Sequence, residues 1–197
     1  KQHIFLDERD IVRFVFIVLY FQSTITQTNL NRPVSHYVKH RVFTIDTENF
    51  ETTRAVDLLS FGCMTNHFHL IVGEKKENGI SNYMQRALNA YTKYFNAKYK
   101  RSGHLFQGPY QAVHVETNAQ LLHLSAYIHK NPKEIARWAK NPHEYSWSSY
   151  QDYIGKNRWG KLLSVELILS QFKNKEDYFG FVKESEAKEI RDATKIT

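Results

Sequence analysis

Two strand-like runs, "AVDLLSFGCM" (Ala55–Met64) and "HFHLIVGE" (His67–Glu74), stand with only Thr65 and Asn66 between them. So short a connection makes them an antiparallel hairpin, because parallel neighbours need a crossover of a dozen residues or more. Ahead of the hairpin, "DERDIVRFVFIVLYFQST" opens with acidic residues suited to a helix N-terminus and is then apolar all round, the pattern of a buried helix. Behind it the clearest helical period runs from Ile80 to Lys100, with Ser81 near its start and Gly103 just past its end. Met84, Leu88, Tyr91 and Phe95 form its core stripe.

The remaining segments are read from local signals. "ITQTNLNRPVSHYVKHR" (Ile25–Arg41) is polar without clear period and reads as a loop or excursion, while "PYQAVHVE" (Pro109–Glu116) alternates like a strand. Thr117 and Gln120 make a capping box for a helix that ends at Asn131-Pro132, since a residue before proline is driven out of the α region. "NPHEYSWSSYQDYIG" (Asn141–Gly155) reads as loop and turn, and the segment after Ser164 as a helical tail. No internal repeat or low-complexity tract is present in the 197 residues.

Composition narrows the function classes. The length suits one domain, or one domain with an appendage, and no apolar run is long enough to span a membrane. The acidic residues of "FLDERD" do not suit a signal peptide. A single cysteine, Cys63, excludes an internal disulfide and a multi-cysteine zinc site, and suits a reducing cytosol. The net charge of +7 is unevenly placed: from Asn78 to Lys133 the only acid is Glu116, against Arg86, Lys93, Lys98, Lys100, Arg101, Lys130 and Lys133. Twelve tyrosines and thirteen phenylalanines add stacking groups, so a polyanion partner is expected, with a generically basic protein as the plainer account. On the central helix Asn82, Arg86, Asn89, Lys93, Asn96 and Lys100 recur at steps of four and three without an acid, a face suited to phosphate.

His67 and His69 are two apart on a strand and so project to one face, with Phe68 turned the other way. Two imidazoles can chelate a divalent cation but do not complete a site, and such a pair also arises in ordinary strands. In the helix "TNAQLLHLSAYIHKNP", Leu121, Leu124 and Ile128 form the apolar stripe, and another face carries His123, Tyr127 and Asn131 at steps of four. A carboxamide oxygen can be a third, neutral metal ligand. A phenol can be a nucleophile beside a cation that stabilises the phenolate. Taken singly, Tyr127 also reads as a half-buried amphipathic side chain and Asn131 as a helix terminus.

"MTNHFHLIV", then "YTKYFNAKYKRSGHLFQGPYQAVHVETNAQLLHLSAYIHKNP" and "YSWSSYQDYIG", in that order from about Ile4 to Gly155, resemble the REP-associated tyrosine transposases. These are bacterial single-tyrosine, insertion-sequence type enzymes of the HUH endonuclease superfamily. The resemblance implies an α+β fold with a ferredoxin-like core, a central antiparallel sheet flanked by helices, in residues 1–155, and a helical C-terminal extension in 156–197. It implies metal ligation of Mg²⁺ or Mn²⁺ by His67, His69 and Asn131, and Tyr127 as the nucleophile that leaves a 5′-phosphotyrosine and a free 3′-hydroxyl. Single-stranded or hairpin DNA is the implied partner, contacted through Arg86, Asn89, Lys93, Asn96, Lys100 and Arg101. Relatives include monomers and homodimers, and the implied location is the bacterial cytoplasm, near the nucleoid. His123, one turn before Tyr127, is a candidate proton acceptor. The family usually has proline where Thr65 stands, and basic residues where Pro109 and Gln111 stand; its first strand would precede "KQHIF". Two other classes fit the same residues: a non-catalytic DNA-hairpin binder, favoured by Pro109 and Gln111, and a metallohydrolase that activates water through the histidine pair.

Overall fold

The computed structural model describes residues 2–25, 29–43 and 50–186. Along them run α1 (Glu8–Tyr20), α2 (Asn31–His40), α3 (Phe50–Thr53), β1 (Val56–Met64), β2 (His67–Glu74), α4 (Gly79–Lys98), α5 (Asn118–Lys130), α6 (Tyr150–Ile154), α7 (Glu166–Leu169) and α8 (Lys175–Glu184). The fold is α+β, an antiparallel sheet flanked by helices with further helices at the C-terminal end, as expected. Among the described residues the sheet has two strands, β1 and β2, joined by the Thr65-Asn66 turn. The chain forms two units, each with its own core.

The first unit comprises Lys1–Leu58, Thr65–His67 and Val72–Tyr110. Its α1 starts in a reciprocal cap: Asp7 accepts from the Asp10 N–H at 3.0 Å, and Asp10 accepts from the Asp7 N–H at 3.3 Å. Val12 and Phe14 through Tyr20 are all buried, so this helix is covered on every side except at Arg13 and its first turn. On α4 the buried stripe is Tyr83, Met84, Ala87, Tyr91 and Phe95, with Leu88 only half-buried. The Tyr83 hydroxyl donates to the Val18 carbonyl at 2.8 Å and the Tyr91 hydroxyl to the Ile4 carbonyl at 2.6 Å. Each ring thus buries its apolar body, about 2–3 kcal/mol, while its hydroxyl keeps a partner.

One buried charge belongs to this packing. Asp10 is wholly enclosed and accepts from Lys98 Nζ at 2.7 Å, Tyr99 Oη at 2.7 Å, Tyr94 Oη at 3.0 Å and the Leu6 N–H at 2.9 Å. Burial pushes its pKa up, and these bonds together outweigh it, so the carboxyl titrates below the ordinary aspartate value. A depressed folded-state pKa contributes stability above the unfolded-state value, and that contribution is lost as pH falls through the folded one. Asp10→Asn is therefore expected to cost about 2 kcal/mol at neutral pH and to flatten the acid side of a plot of melting temperature against pH.

The second unit comprises Leu59–Met64, Phe68–Ile71 and Gln111–Thr197. Here the irregular segment at Tyr145–Ser149 lies along the outer edge of β1, bridged at Gly62 and Ser148. The Cys63 N–H donates to the Trp147 carbonyl at 2.9 Å, and the Ser149 N–H to the Phe61 carbonyl at 2.9 Å. Tyr145 and Tyr153 hydroxyls cap the Cys63 and Leu59 carbonyls at 2.7 and 2.6 Å. An edge that would otherwise present bare backbone groups is thereby satisfied. Buried Asp152 holds the following turn: it accepts from Arg158 Nη2 at 2.7 Å, Arg158 Nε at 2.9 Å and Trp159 Nε1 at 3.1 Å.

Three segments differ from the sequence reading. Asn31–His40, expected as loop, is α2, with Val34 and Tyr37 buried. Pro33 does not prevent this, because it lies in the first turn, where the backbone N–H has no helical partner anyway. Thr26, Gln27 and Thr28 of that loop reading lie outside the described residues. Pro109–Glu116, expected as a strand, has no ladder partner among the described residues and is exposed along nearly its whole length. Within Asn141–Gly155, expected as loop and turn, Tyr150–Ile154 forms α6 because Tyr150, Asp152 and Tyr153 all face the core. The helical tail after Ser164 is present as α7 and α8, and its last residues, 187–197, lie outside the described part. No helix among the described residues is long and apolar enough to cross a membrane.

Candidate active site on the hairpin and helix α5

The second unit brings one strand residue and one helix residue of the expected site, His69 and Tyr127, together. The His69 and Tyr127 rings meet edge to face, with centroids 5.4 Å apart and planes at 76°. Both side chains are half-buried. The close approach of α5 to β1 depends on Gly62: a Cβ there would lie 3.2 Å from Ile128 Cγ2 and 3.4 Å from the Ile128 carbonyl. Ile128 immediately follows Tyr127, so the glycine in "GCMTNHFHLIV" lets the tyrosine-bearing helix close onto the strand.

Helix α5 is set by its caps. Thr117 Oγ1 accepts from the Gln120 N–H at 3.1 Å, and Gln120 Oε1 takes the Glu116 N–H at 2.9 Å. That is the expected box with its return bond moved back by one residue. The buried face is Leu121, Ser125, Ala126, Ile128 and His129, with Leu124 half-buried. At the other end Lys130 Nζ donates to the Lys183 carbonyl at 3.1 Å and also to the Ser185 carbonyl, so this cation holds the C-terminus of α8.

Asn131 caps α5 one turn beyond Tyr127 and is 4 % exposed. Its Nδ2 is buried and has no hydrogen-bond partner. Leaving such a donor unpaired costs about 1–3 kcal/mol, so this amide N–H₂ is suited to a hydrogen-bond acceptor. On β2, His67 shares the strand face of His69 two residues on. His67 Nδ1 donates to Asn66 Oδ1 at 2.7 Å, which places the ring's lone pair on Nε2, the tautomer a metal-binding histidine uses. Phe68 is half-buried rather than fully enclosed. His123 is exposed and its ring packs 5.9 Å from that of Phe181. The donor set at the hairpin and α5, two imidazoles and a carboxamide, fits Mn²⁺ or Mg²⁺ in kind. Among the described residues no group of three His, Cys, Asp or Glu side chains could hold a metal ion.

The residues expected to meet DNA divide into two kinds. Asn89, Lys93 and Lys100 are exposed. Arg86 is half-buried, donates to the Ser23 carbonyl at 2.9 Å and stacks over Phe21, while Asn96 donates to the Gly103 carbonyl at 2.9 Å. Arg101 donates to the His104 carbonyl at 3.1 Å and lies over the Phe95 ring. Arg86 thus ties the middle of α4 to the segment after α1, and Asn96 and Arg101 hold the turn that follows the helix.

Sequence reading gave His129 no role, and the structure gives it a central one. It is wholly buried, and burial pushes its pKa down to about 3, so the ring is neutral. A neutral imidazole offers one donor and one acceptor. The Nδ1–H donates to Tyr178 Oη at 2.7 Å, whose own proton goes to Ser125 Oγ at 3.1 Å, and Nε2 is the acceptor, with Ser149 Oγ at 2.8 Å and Ser60 Oγ at 3.1 Å, while the ring stacks on Tyr150 at 5.0 Å. The only hint in the sequence was the hydroxyl and aromatic density of "SWSSY".

A family model described as "Transposase IS200 like" matches residues 13–131, a span that holds the hairpin, α4, Tyr127 and Asn131. The chain belongs to the IS200-like transposases. This IS200-like transposase is accordingly a DNA-binding protein with a DNA-cleaving role in transposition. No curated protein and no solved structure matched the chain significantly.

Proposed function

We propose that this IS200-like transposase cleaves and rejoins single-stranded or hairpin DNA through a 5′-phosphotyrosine on Tyr127, in the manner of the REP-associated branch of the HUH endonucleases. The observation that carries the reading is the edge-to-face contact between His69 and Tyr127, a metal-ligand type of side chain against a phenol. His67, His69 and Asn131 would hold Mg²⁺ or Mn²⁺, which when bound withdraws charge from a non-bridging phosphate oxygen and orients the phosphodiester.

The chain's own residues do the rest. Tyr127 Oη bonds to phosphorus as the bond from phosphorus to the 3′-oxygen breaks, and the departing oxygen takes a proton to become a 3′-hydroxyl. The phenolic proton passes to solvent or to His123, one turn away on the same helix. The new link is still a phosphodiester, so a second 3′-hydroxyl can displace the tyrosine and join strands without ATP. His69 fixes the phenol ring, and Asn66 fixes the His67 tautomer.

The test is a hairpin oligonucleotide with a single-stranded flank, labelled at one end or the other and incubated with Mn²⁺. The expected product is a denaturation-resistant, protease-sensitive adduct that carries the 3′ label and not the 5′ label. Chelation of the metal is expected to abolish it. Cleavage without an adduct would instead point to water as nucleophile, and a gel shift without cleavage to a hairpin-binding protein.

A further inference from the structure

The first unit contains an open cavity of about 540 Å³ between α1, α2 and α4, and none of its lining residues belongs to the hairpin or to α5. Arg13 lines it from α1, Asn31 from α2, and Lys93, Tyr94 and Lys98 from α4, where the small side chain of Ala90 leaves room. Lys98 is already neutralised, bonded to Asp7 at 2.6 Å and Asp10 at 2.7 Å. Asp10 in turn is saturated by donors from Tyr94 and Tyr99. Arg13 and Lys93 differ: among the described residues neither has a carboxylate within ion-pairing distance. The Arg13 guanidinium is half-buried, donates one bond to Asn31 Oδ1 at 2.9 Å and lies over the Tyr94 ring at 5.1 Å, while its Nε is buried with no hydrogen-bond partner. Burial disfavours its protonated form and outweighs the opposing influence of Tyr94, with the neighbouring Arg9 charge adding a smaller effect in the same direction as burial. Holding a guanidinium half-buried with its Nε unpaired is costly without an anion.

We propose that this cavity binds a phosphate group, with Arg13 and Lys93 as its charged contacts and Asn31 as a polar one. Asn31 anchors the guanidinium and the Tyr94 ring supports it from below, so the fork is preorganised for two phosphate oxygens in a way a lone surface lysine is not. The partner class is a phosphomonoester or phosphodiester: a backbone phosphate of bound DNA, or free phosphate. The proposal rests on the DNA binding of the family and not on the chemistry of Tyr127.

Equilibrium binding of a fluorescent hairpin oligonucleotide, without divalent metal, tests it across a salt series, together with calorimetric titration by inorganic phosphate. Arg13→Gln and Lys93→Gln are each expected to weaken DNA several-fold and to reduce the slope of log affinity against log salt by about 0.7 for a single-strand contact or about 0.9 for a duplex one. That result assigns the source to the DNA backbone. An unchanged slope, with wild-type phosphate binding lost in Arg13→Gln, assigns it to free phosphate. If both variants melt like wild type and neither DNA nor phosphate binding changes, the proposal is overturned. Because adduct formation is not the readout, failure of the tyrosine chemistry leaves this experiment intact.

Discussion

Replacing Tyr127 with phenylalanine is expected to remove the protein–DNA adduct, with strand cleavage falling by ~10³-fold or more, equivalent to ~4 kcal/mol of transition-state stabilisation. Binding of the same oligonucleotide should stay within about twofold, since in the proposed reaction the hydroxyl contributes to bond formation with phosphorus and not to charge neutralisation of the backbone. Stability should also hold. Phenylalanine keeps the ring that packs edge to face on His69, and Tyr127 is half-buried, so no enclosed polar partner is left unpaired by losing the hydroxyl. A change within about 0.5–1 kcal/mol is expected. The three readouts separate the possible roles of the residue. Loss of adduct with retained binding and melting temperature identifies the nucleophile. Cleavage that survives the substitution would assign the attack to water and reduce Tyr127 to a packing group beside His69.

The hairpin, α1, α4 and α5 were legible because each is specified locally. A two-residue turn between strand-like runs allows one pairing, an apolar helix with an acidic first turn has one natural start, and Thr117 with Gln120 marks another. Helix α2 was not legible, since only Val34 and Tyr37 of its ten residues are buried and neither falls in a conspicuous period. Pro109–Glu116 misled for the opposite reason. Alternation along a chain signals a half-buried strand only when a neighbour supplies the ladder, and none does so among the described residues. For the site, the two-residue and four-residue rules placed His67 with His69 and Tyr127 with Asn131, each pair on one face of its own element. That the faces of His69 and Tyr127 touch is long-range information: the sequence resemblance implied it, and the ring contact shows it. The expected spacing says nothing of Gly62, whose missing side chain lets Ile128 and its neighbour approach the strand.

The second large effect is expected on stability, at His129. This residue lies between Tyr127 and Asn131 on α5, and its two ring nitrogens tie that helix to Ser149 of the segment beside β1 and to Tyr178 of α8. Ser60 of β1 joins the same cluster, 3.1 Å from Nε2, and Tyr150 stacks on the ring. His129→Ala removes a wholly buried ring together with its bonds to Ser60, Ser149 and Tyr178. The cavity and the lost bonds together should cost about 3–5 kcal/mol, on the order of 10 °C in melting temperature for a chain of this size. Tyr178→Phe removes the two bonds of one hydroxyl, to His129 Nδ1 and Ser125 Oγ, without opening a cavity, since the ring stays; about 1–2 kcal/mol is expected. Thermal melts of the two variants beside Tyr127→Phe give the check. A large loss in His129→Ala, a smaller one in Tyr178→Phe and almost none in Tyr127→Phe would place the rigidity of α5 on its inner face, leaving the outer face to chemistry. If His129→Ala melted within about 1 kcal/mol of wild type, the buried cluster would not be what fixes the helix, and the Gly62–Ile128 approach would have to bear that role.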